Sequence, residues 1–329
     1  MKRDDAALVQ RLIELSLTST KSATIAGIYR RVAPGPDGCI RTVLSPVGTE
    51  TGRFASSDTF LEASTNLQNL PKQMAMLDPL YDVRSCIVPR YGHMFVEADL
   101  SQAEARAVAA YANDTATLQL FDSGQDVHKV TAAAIFECEV AEVTKEQRYL
   151  GKRARHALNY GMGWSLFLDG INKDADLTGI AITAAQAKRI VASYHSMNAP
   201  LLRWWAEVWQ TVQTEGYLVT QPFGRRRDFL SPFVRPTDVY AYLPQSTIAD
   251  LLCWRMSEAY ANDDLIRRSL RLQIHDAVLC EPRAHEAEQC VERLRRWLTC
   301  PIVINDVELT VPVDLSISET SWGTMRKVA

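Results

Sequence analysis

Alternating apolar and polar positions predict strands near both ends of this chain. The first clear strand covers residues 93–99 and leads into a helix at about 101–112, where Ser101 and Glu104 fit a capping box. After residue 270 the period of two returns in several further strand segments, at 270–274, 277–281, 302–304 and 307–317. A helix is predicted among them, near 284–298.

From about residue 114 to 260 the apolar residues instead recur at helical spacing. Thr144 and Gln147 form a second capping-box pattern, at the start of a helix predicted over 144–163. Further elements are predicted as helices at 184–215 and 246–261 and as a hairpin at 217–234. Strands at both ends with helices between them predict an α+β fold, in which an antiparallel sheet with flanking helices contains a mostly helical insertion.

The N-terminal part is patterned more weakly. Residues 6–17 predict a short amphipathic helix, and residues 40–44 predict a strand. Residues 48–71 are polar and rich in turn formers, with little periodicity. Because so long an irregular stretch inside a compact domain is usually functional, we expect this segment to contribute to a site.

Composition excludes several classes of protein. The chain has 329 residues, of which 47% are hydrophobic and 23% charged, and it has no run near the ~18 apolar residues of a membrane span. Its start lacks a secretory apolar region, and its seven cysteines show no CxxC pair. We therefore expect a cytoplasmic protein with no membrane partner.

The net charge of −3 gives no general basic field of the kind that small nucleic-acid binders often carry. The positive charges are clustered instead, in residues 148–155, 225–227 and 267–268. Any one such cluster is typical of a solvated surface. Several clusters around one candidate site favour binding of a polyanion.

Two aspartates, Asp99 and Asp276, each follow an apolar strand-like run. A buried carboxylate is costly unless a positive group neutralises it. Neither aspartate lies in a Cys/His spacing typical of zinc, which favours a hard cation such as Mg²⁺, held by one or two carboxylates and by substrate phosphates. The pair therefore predicts metal-dependent chemistry on a phosphate substrate.

A third segment supports the same chemistry. Arg148, Lys152, His156 and Tyr160 are spaced four residues apart, and on a helix such positions form one oblique stripe. Cationic donors along that stripe would stabilise a triphosphate. Metal carboxylates together with a cationic helix predict a nucleotidyl-transfer enzyme.

Several blocks of the chain resemble, in the same order, the motifs of family A DNA polymerases, the bacterial DNA polymerase I type. They are TETGR at 49–53, NLQNLP at 66–71, DLSQAEAR at 99–106, R-x3-K-x7-YG at 148–161 and QIHD at 273–276. The resemblance runs from about residue 8 to Trp322 and implies a palm sheet with an inserted fingers subdomain. It divides the chain into 1–112 (palm, with a remnant of the thumb base), 113–245 (fingers) and 246–329 (palm, with the His-Asp hairpin).

The resemblance implies template-directed DNA synthesis, in which dNMP from a dNTP is added to a primer 3′-hydroxyl. Asp99, Asp276 and the Leu100 carbonyl would bind two Mg²⁺ ions, which activate the hydroxyl and neutralise the leaving pyrophosphate. Lys152 would be a further catalytic residue. Expected partners are primer–template DNA, dNTPs and a separate thumb, exonuclease or processivity protein.

Further residues are assigned to substrate binding by the same resemblance. Those implied to bind the nucleotide are Gln102, Glu104, His128, Arg148, Lys152, His156 and Tyr160. Those implied to bind DNA, mainly through phosphates and the minor groove, are Arg53, Gln68, Gln245 and His275. Glu104 would be a steric gate against a ribose 2′-hydroxyl, held by Tyr160, and this role competes with its capping role.

The chain departs from the family pattern in three ways. His156 stands where the family has Phe or Tyr, and Ala277 stands where it has Glu. The chain also begins almost at the palm, so that a fragment, half of a split polymerase and an unusually small enzyme all remain open. Two alternative functions remain as well, a single-subunit RNA polymerase and a non-catalytic relative that binds DNA or a replication partner.

Overall fold

The computed structural model describes residues 34, 37–46, 48–57, 66–70, 83–173, 175, 179–231 and 233–328. The helix predicted at 6–17 lies outside these ranges. The chain divides into two compact units. We call them the sheet unit (Met1–Asp99, Met256–Trp297 and Val313–Ala329) and the helical unit (Leu100–Arg255 and Leu298–Pro312).

The strands of the described ranges are short and are numbered in chain order. They are β1 (Val43–Ser45), β2 (Ala55–Ser57), β3 (Phe95–Leu100), β4 (Tyr217–Val219), β5 (Arg226–Asp228), β6 (Leu270–Ile274), β7 (Ala277–Cys280), β8 (Pro301–Ile304), β9 (Val307–Thr310), β10 (Val313–Ser318) and β11 (Arg326–Lys327).

The α-helices of the same ranges lie mostly between β3 and β6. They are α1 (Ala103–Tyr111), α2 (Thr115–Asp122), α3 (Val127–Phe136), α4 (Lys145–Leu158), α5 (Trp164–Lys173), α6 (Ala184–Met197), α7 (Ala199–Glu215), α8 (Pro236–Asn262), α9 (Asp264–Ser269) and α10 (Ala287–Leu298).

The sheet unit is built on a five-stranded sheet in the order β11-β10-β3-β7-β6. β3 pairs antiparallel with β7, and β7 pairs antiparallel with β6. One apolar cluster covers this sheet and includes Phe95, Ile274, Leu279 and Trp322. Burying each such side chain contributes roughly 1.5–3 kcal/mol, so the cluster fixes the central strands. The predicted α+β fold with an antiparallel sheet and a mostly helical insertion is confirmed.

In the helical unit, α3 and α4 pack against each other along their length. The predicted Thr144–Gln147 capping box is present at the start of α4, where each side chain bonds the backbone N–H of the other residue. The predicted hairpin is also present, as β4 and β5. Within the described part of the chain, no helix has the length and apolar character needed to cross a bilayer.

The capping box predicted at Ser101 and Glu104 is wrong. The helix begins later, at Ala103, and its cap residue is Gln102, which makes no side-chain capping bond. Gln102 has φ +53° and ψ +32°, a left-handed conformation that redirects the chain between β3 and α1. The Ser101 N–H donates instead to the Pro312 carbonyl at 2.8 Å.

Three helix boundaries were also predicted wrongly. α4 ends at Leu158 rather than 163, because Gly161 takes a φ of +75° that ends helical geometry. The helix predicted at 184–215 is two helices, which are separated at Asn198, and Pro200 lies in the first turn of the second helix, α7. The helix predicted at 246–261 begins ten residues earlier and contains Pro244 in its interior.

Candidate active site

Two predicted metal ligands, Asp99 and Asp276, come together in the sheet unit. Asp99 is the last residue but one of β3, and Asp276 is the second residue of the two-residue turn between β6 and β7. In the sheet register Asp99 lies opposite Ala277, so the turn places Asp276 beside the end of β3. Both carboxylates line a cavity of about 430 Å³, which we call the carboxylate cavity.

The backbone of this turn is narrowly defined. His275 has a φ of +51°, in the left-handed region that a residue other than glycine adopts only at some cost. Two-residue hairpin turns use such angles because they match the right-handed twist of the paired strands. Burial lowers the pKa of His275, and the charge of Arg53 lowers it further.

The side chain of Asp276 is only 23% exposed, so its charged form is poorly solvated. Burial raises its pKa to about 6, and the Asp99 carboxylate acts in the same direction, whereas the Arg53 guanidinium opposes both. The Arg53 Nη2 atom lies 4.0 Å from Asp276 Oδ1. Two like charges therefore share one poorly solvated space, with a guanidinium at its edge.

A chain of buried amides holds the turn. Gln68 Nε2 donates to the backbone carbonyl and to Oε1 of Gln273, at 3.2 and 3.0 Å. Gln273 Nε2 in turn donates to the His275 carbonyl, and Gln68 Oε1 accepts from the Ser56 N–H at 3.0 Å. These bonds link the irregular N-terminal segment to the turn that contains Asp276. Gln68 of the irregular segment thus lines the carboxylate cavity.

Two cavity residues were missed by sequence reasoning. Glu97 is 4% exposed and accepts a hydrogen bond from Trp322 Nε1 at 2.7 Å. Arg84 is buried, its guanidinium lies 4.0 Å from the Trp322 ring centroid, and two of its nitrogens donate to the Leu70 carbonyl. A carboxylate inside an apolar strand was a usable signal for Glu97. Arg84 gave none, because it lies in a segment without periodicity.

The donor chemistry of the cavity suits a hard divalent cation. Across the described residues, no cluster of three or more His, Cys, Asp or Glu side chains is arranged to hold a metal. Asp99 and Asp276 are two carboxylates lining one cavity, and Mg²⁺ is commonly bound by one or two carboxylates together with substrate phosphates. A cation would also offset the repulsion that raises the pKa of Asp276. Leu100, the third predicted ligand, ends β3 and is 2% exposed.

In the helical unit, the predicted contact between Glu104 and Tyr160 is present. Tyr160 donates its hydroxyl proton to Glu104 Oε2 across 2.5 Å. Glu104 lies in the first turn of α1, and Tyr160 lies two residues beyond the end of α4 rather than on that helix as predicted. The orientation of Tyr160 therefore depends on the turn that contains Asn159 and Gly161, whereas helix spacing was expected to determine it.

The position of Tyr160 is reinforced by close packing at Gly161. A Cβ at Gly161 would lie 3.1 Å from the ring of Tyr240, which itself stacks on Trp205 with centroids 4.9 Å apart. Trp205 Nε1 donates to the Asn159 carbonyl at 3.1 Å. The turn after α4 is thus clamped by an aromatic stack, which was not visible in the sequence pattern.

The other predicted nucleotide-binding residues lie on α3 and α4. His128 is in the first turn of α3, and Arg148, Lys152 and His156 follow each other at four-residue steps along α4. The rings of His128 and His156 are 6.1 Å apart between centroids. We call these four residues the cationic face of the helical unit.

Both imidazoles of the cationic face resist protonation. Burial lowers the pKa of His128 to about 4, with further lowering by His156 and Lys152. The pKa of His156 is lowered too, first by desolvation of its ring, although the residue as a whole is exposed, and then by Lys152, Arg153 and Arg155. The three cations thus disfavour protonation of His156.

Two predicted residues lie elsewhere in the helical unit. Gln102 follows β3 closely along the chain, and its Oε1 is buried with no hydrogen-bond partner among the described residues. Gln245 lies inside α8 and is partly exposed.

The comparisons with known proteins give the class of protein that this fold and site define. The profile of DNA polymerase family A matches residues 1–324, so this chain belongs to that family. It is similar in fold to the POL domain of Pol1 from M. smegmatis in complex with DNA primer-template and dNTP. The TM-score is 0.74 and the identity 24%, covering 92% of this chain and 52% of that one.

Curated relatives are DNA polymerases I. The enzyme from Caldicellulosiruptor bescii is 26% identical over 89% of this chain and 33% of its own length. The thermostable enzyme from Thermus aquaticus is 24% identical over 96% of this chain and 36% of its own length. The chain therefore spans about a third of the length of the curated relatives it matches.

Proposed function

We propose that this chain catalyses template-directed DNA synthesis, adding dNMP from a dNTP to a primer 3′-hydroxyl by two-metal nucleotidyl transfer. The observation that carries the proposal is the pair Asp99 and Asp276, which share one poorly solvated cavity in a member of DNA polymerase family A. The names of the relatives, and the primer-template and dNTP in the similar solved structure, support the same substrates.

In this proposal Asp99, Asp276 and the Leu100 carbonyl hold two Mg²⁺ ions. When bound, the ions would supply Lewis-acid chemistry, favouring the ionised 3′-hydroxyl and neutralising the pyrophosphate that leaves. The chain itself contributes preorganisation, because the strand register and the amide chain fix both carboxylates before substrate arrives. Arg53, Gln68 and His275 would contact the primer–template duplex beside the cavity.

The helical unit would bind the nucleotide. Arg148 and Lys152 would donate to the triphosphate, and Lys152 would also stabilise the charge that develops on it during transfer. His128, neutral near pH 7 because its pKa is about 4, would offer a hydrogen-bond donor rather than a charge. His156 would lie by the incoming sugar, and Gln102 and Gln245 would contact nucleotide and DNA respectively.

Sugar selection would depend on Glu104. The hydrogen bond from Tyr160 fixes the Glu104 side chain at the start of α1, where a rigid carboxylate would exclude a ribose 2′-hydroxyl. The division into residues 1–112, 113–245 and 246–329, a separate thumb, exonuclease or processivity partner, and a cytoplasmic location belong to the same proposal.

Primer extension tests the function directly. The purified chain is incubated with a primer–template duplex and Mg²⁺, once with dNTPs and once with rNTPs. We expect extension with dNTPs and little with rNTPs. Retained duplex binding without any extension would instead favour the non-catalytic relative, and a preference for rNTPs would favour an RNA polymerase.

A further inference from the structure

The cationic face depends on how α3 and α4 join. A Cβ on Gly151 would lie 2.5 Å from the His128 carbonyl oxygen, closer than real Cβ atoms come, so glycine permits this approach of the two helices. One turn further along α4, Arg155 donates from Nε and Nη2 to Thr131 Oγ1, at 3.1 and 2.9 Å. His128 is thereby held at a fixed distance from the side chains of α4.

One carboxylate completes this junction at its other end. Asp126 is the N-cap of α3, and its Oδ1 accepts from the backbone N–H groups of His128 and Lys129, at 3.0 and 3.2 Å. Its Oδ2 accepts from Arg148 Nε on α4, at 2.6 Å. Asp126 thus contacts two residues of the cationic face at once, through the backbone of His128 and the side chain of Arg148.

The Asp126–Arg148 bond leaves the guanidinium capable of binding an anion. It uses one of the five N–H donors of the fork, and 42% of the Arg148 side chain is exposed. The bond also lowers the pKa of Asp126, against the opposing effect of burial, so the carboxylate is ionised at neutral pH. A long arginine side chain is otherwise free to sample many rotamers, and ordering it on binding costs entropy.

Helix capping does not require a carboxylate here. Asn, Ser and Asp cap helices about equally well, and a negative charge close to a triphosphate site is unfavourable by itself. The charge becomes useful when it orients a cation toward the same ligand. The second carboxylate oxygen does this, because it receives Arg148 while the first oxygen caps the helix.

We propose that Asp126 is a positioning residue for triphosphate binding, which aligns Arg148 with His128 before the nucleotide arrives. This inference rests on the proposed function, in which the cationic face binds the triphosphate of a dNTP. Nucleotide affinity then depends on Asp126 through Arg148, although Asp126 itself does not touch the nucleotide.

Asp126→Asn separates positioning from capping. The amide oxygen can still cap α3, but an NH₂ group then faces Arg148 Nε, so that two donors oppose each other. In primer extension we expect the KM for dNTPs to rise about fivefold, the ratio that corresponds to one typical net hydrogen bond. The kcat should stay within about twofold, since no group at the reacting atoms changes.

A double-mutant cycle measures the coupling between Asp126 and Arg148 in the KM for dNTPs, and a merely structural role for Asp126 would show no such coupling. In an Arg148→Ala background, Asp126→Asn should change the KM less than about twofold, because the partner through which it acts is gone. Asp228→Asn is the matched control, since it breaks an exposed pair with Arg226 (2.7 Å) elsewhere in the helical unit. It should leave the KM unchanged.

Equilibrium binding of Mg²⁺–dATP, measured by dialysis without primer, gives the same cycle independently of extension. An unchanged or improved dATP affinity in Asp126→Asn, or equal effects in both backgrounds, would overturn the inference. Loss of extension by the wild type with the dATP coupling intact would overturn the proposed function alone. Far-ultraviolet circular dichroism and thermal unfolding of each variant establish that it is folded.

Discussion

The carboxylate cavity and the cationic face place their functional groups by different means. In the cavity, short side chains project from a strand end and a two-residue turn, so the backbone register itself locates Asp99 and Asp276. On the cationic face, long side chains project from a helix, and the helix fixes only their Cα and Cβ positions. Their tips are ordered by further contacts, such as that between Arg148 and Asp126.

The two regions are also electrostatic opposites. In the cavity, burial and a second carboxylate raise the pKa of Asp276. On the cationic face, burial and neighbouring cations lower the pKa values of His128 and His156. Each region collects like charges at a cost and is therefore suited to a ligand of the opposite charge. We therefore expect substitutions of the cavity carboxylates to abolish primer extension. Substitutions of the contacts that order the cationic face should instead alter nucleotide affinity.

The largest expected effect is in the cavity. Asp99→Ala or Asp276→Asn should reduce kcat in primer extension by roughly a thousandfold or more, because one member of a two-metal clamp is lost. Duplex binding, measured by fluorescence anisotropy, should change little. Asp306→Asn is the matched control, since Asp306 lies in the two-residue turn between β8 and β9 but is exposed. Near wild-type extension by either cavity variant would contradict the assignment of Asp99 and Asp276 as metal ligands.

The next effect concerns the sugar gate. Glu104→Ala should reduce discrimination between dNTPs and rNTPs by about a hundredfold, since it removes the group that would clash with the 2′-hydroxyl. Glu104→Gln keeps the size of the side chain and should retain most of the discrimination. The ratio of kcat/KM values for dATP and ATP measures both. An unchanged ratio in Glu104→Ala would show that Glu104 serves only the structure of α1.

A third effect concerns the affinity for duplex DNA, to which both regions would contribute. With a net charge of −3, affinity must come from local cationic clusters. If about three phosphates are contacted, duplex affinity should fall about fortyfold between about 50 and about 200 mM salt, and synthesis should be distributive. Anisotropy titrations and single-encounter extension test this. Long products at ~150 mM salt without an added protein would contradict it.

The smallest effect is the proton linkage of His156. Its pKa is lowered in the free protein, and a bound triphosphate should raise it, so nucleotide binding takes up a proton. Affinity should therefore improve as the pH falls through the pKa of the bound state, by about threefold between pH 8 and about 6.5. It should level off below the pKa of the free state.

His156→Phe is the comparison for this linkage, because it keeps a ring but cannot titrate. It should preserve extension and flatten the profile of dNTP affinity between about pH 6.5 and 8. In the free protein the pKa of His128 is about 4, well below that range. Identical profiles for wild type and variant would leave His156 as a space-filling residue.

Much of the carboxylate cavity followed from local pattern. An aspartate after an apolar strand, and a His-Asp pair between two strands, predicted both carboxylates and the hairpin that carries one of them. The sequence also predicted the Thr144–Gln147 capping box, because both residues of such a box lie within one helical turn. It failed at Ser101 and Glu104, where the same residue types occur but the backbone at Gln102 turns left-handed instead.

Helix ends were predicted less well, for reasons that are also physical. Pro244 lies inside α8, which was predicted to begin after it, and Pro200 lies in the first turn of α7, within a range predicted as one helix. The first turn of a helix tolerates proline, whereas the interior loses a backbone hydrogen bond to it, so packing must offset that loss at Pro244. Tyr160 was placed on α4 by its spacing, but Gly161 takes a positive φ and the chain leaves the helix first.

By itself the sequence determined which groups are available and roughly where each lies within its own strand, turn or helix. Tertiary structure alone decided which groups meet. Gln68 bonds Gln273 across 205 residues of chain, and Trp322 bonds Glu97 across 225. Strand and helix periods repeat over a few residues, so they carry the geometry within an element but no record of its distant neighbours. Those neighbours are chosen when apolar faces pack and buried polar atoms find partners, which is a property of the whole fold.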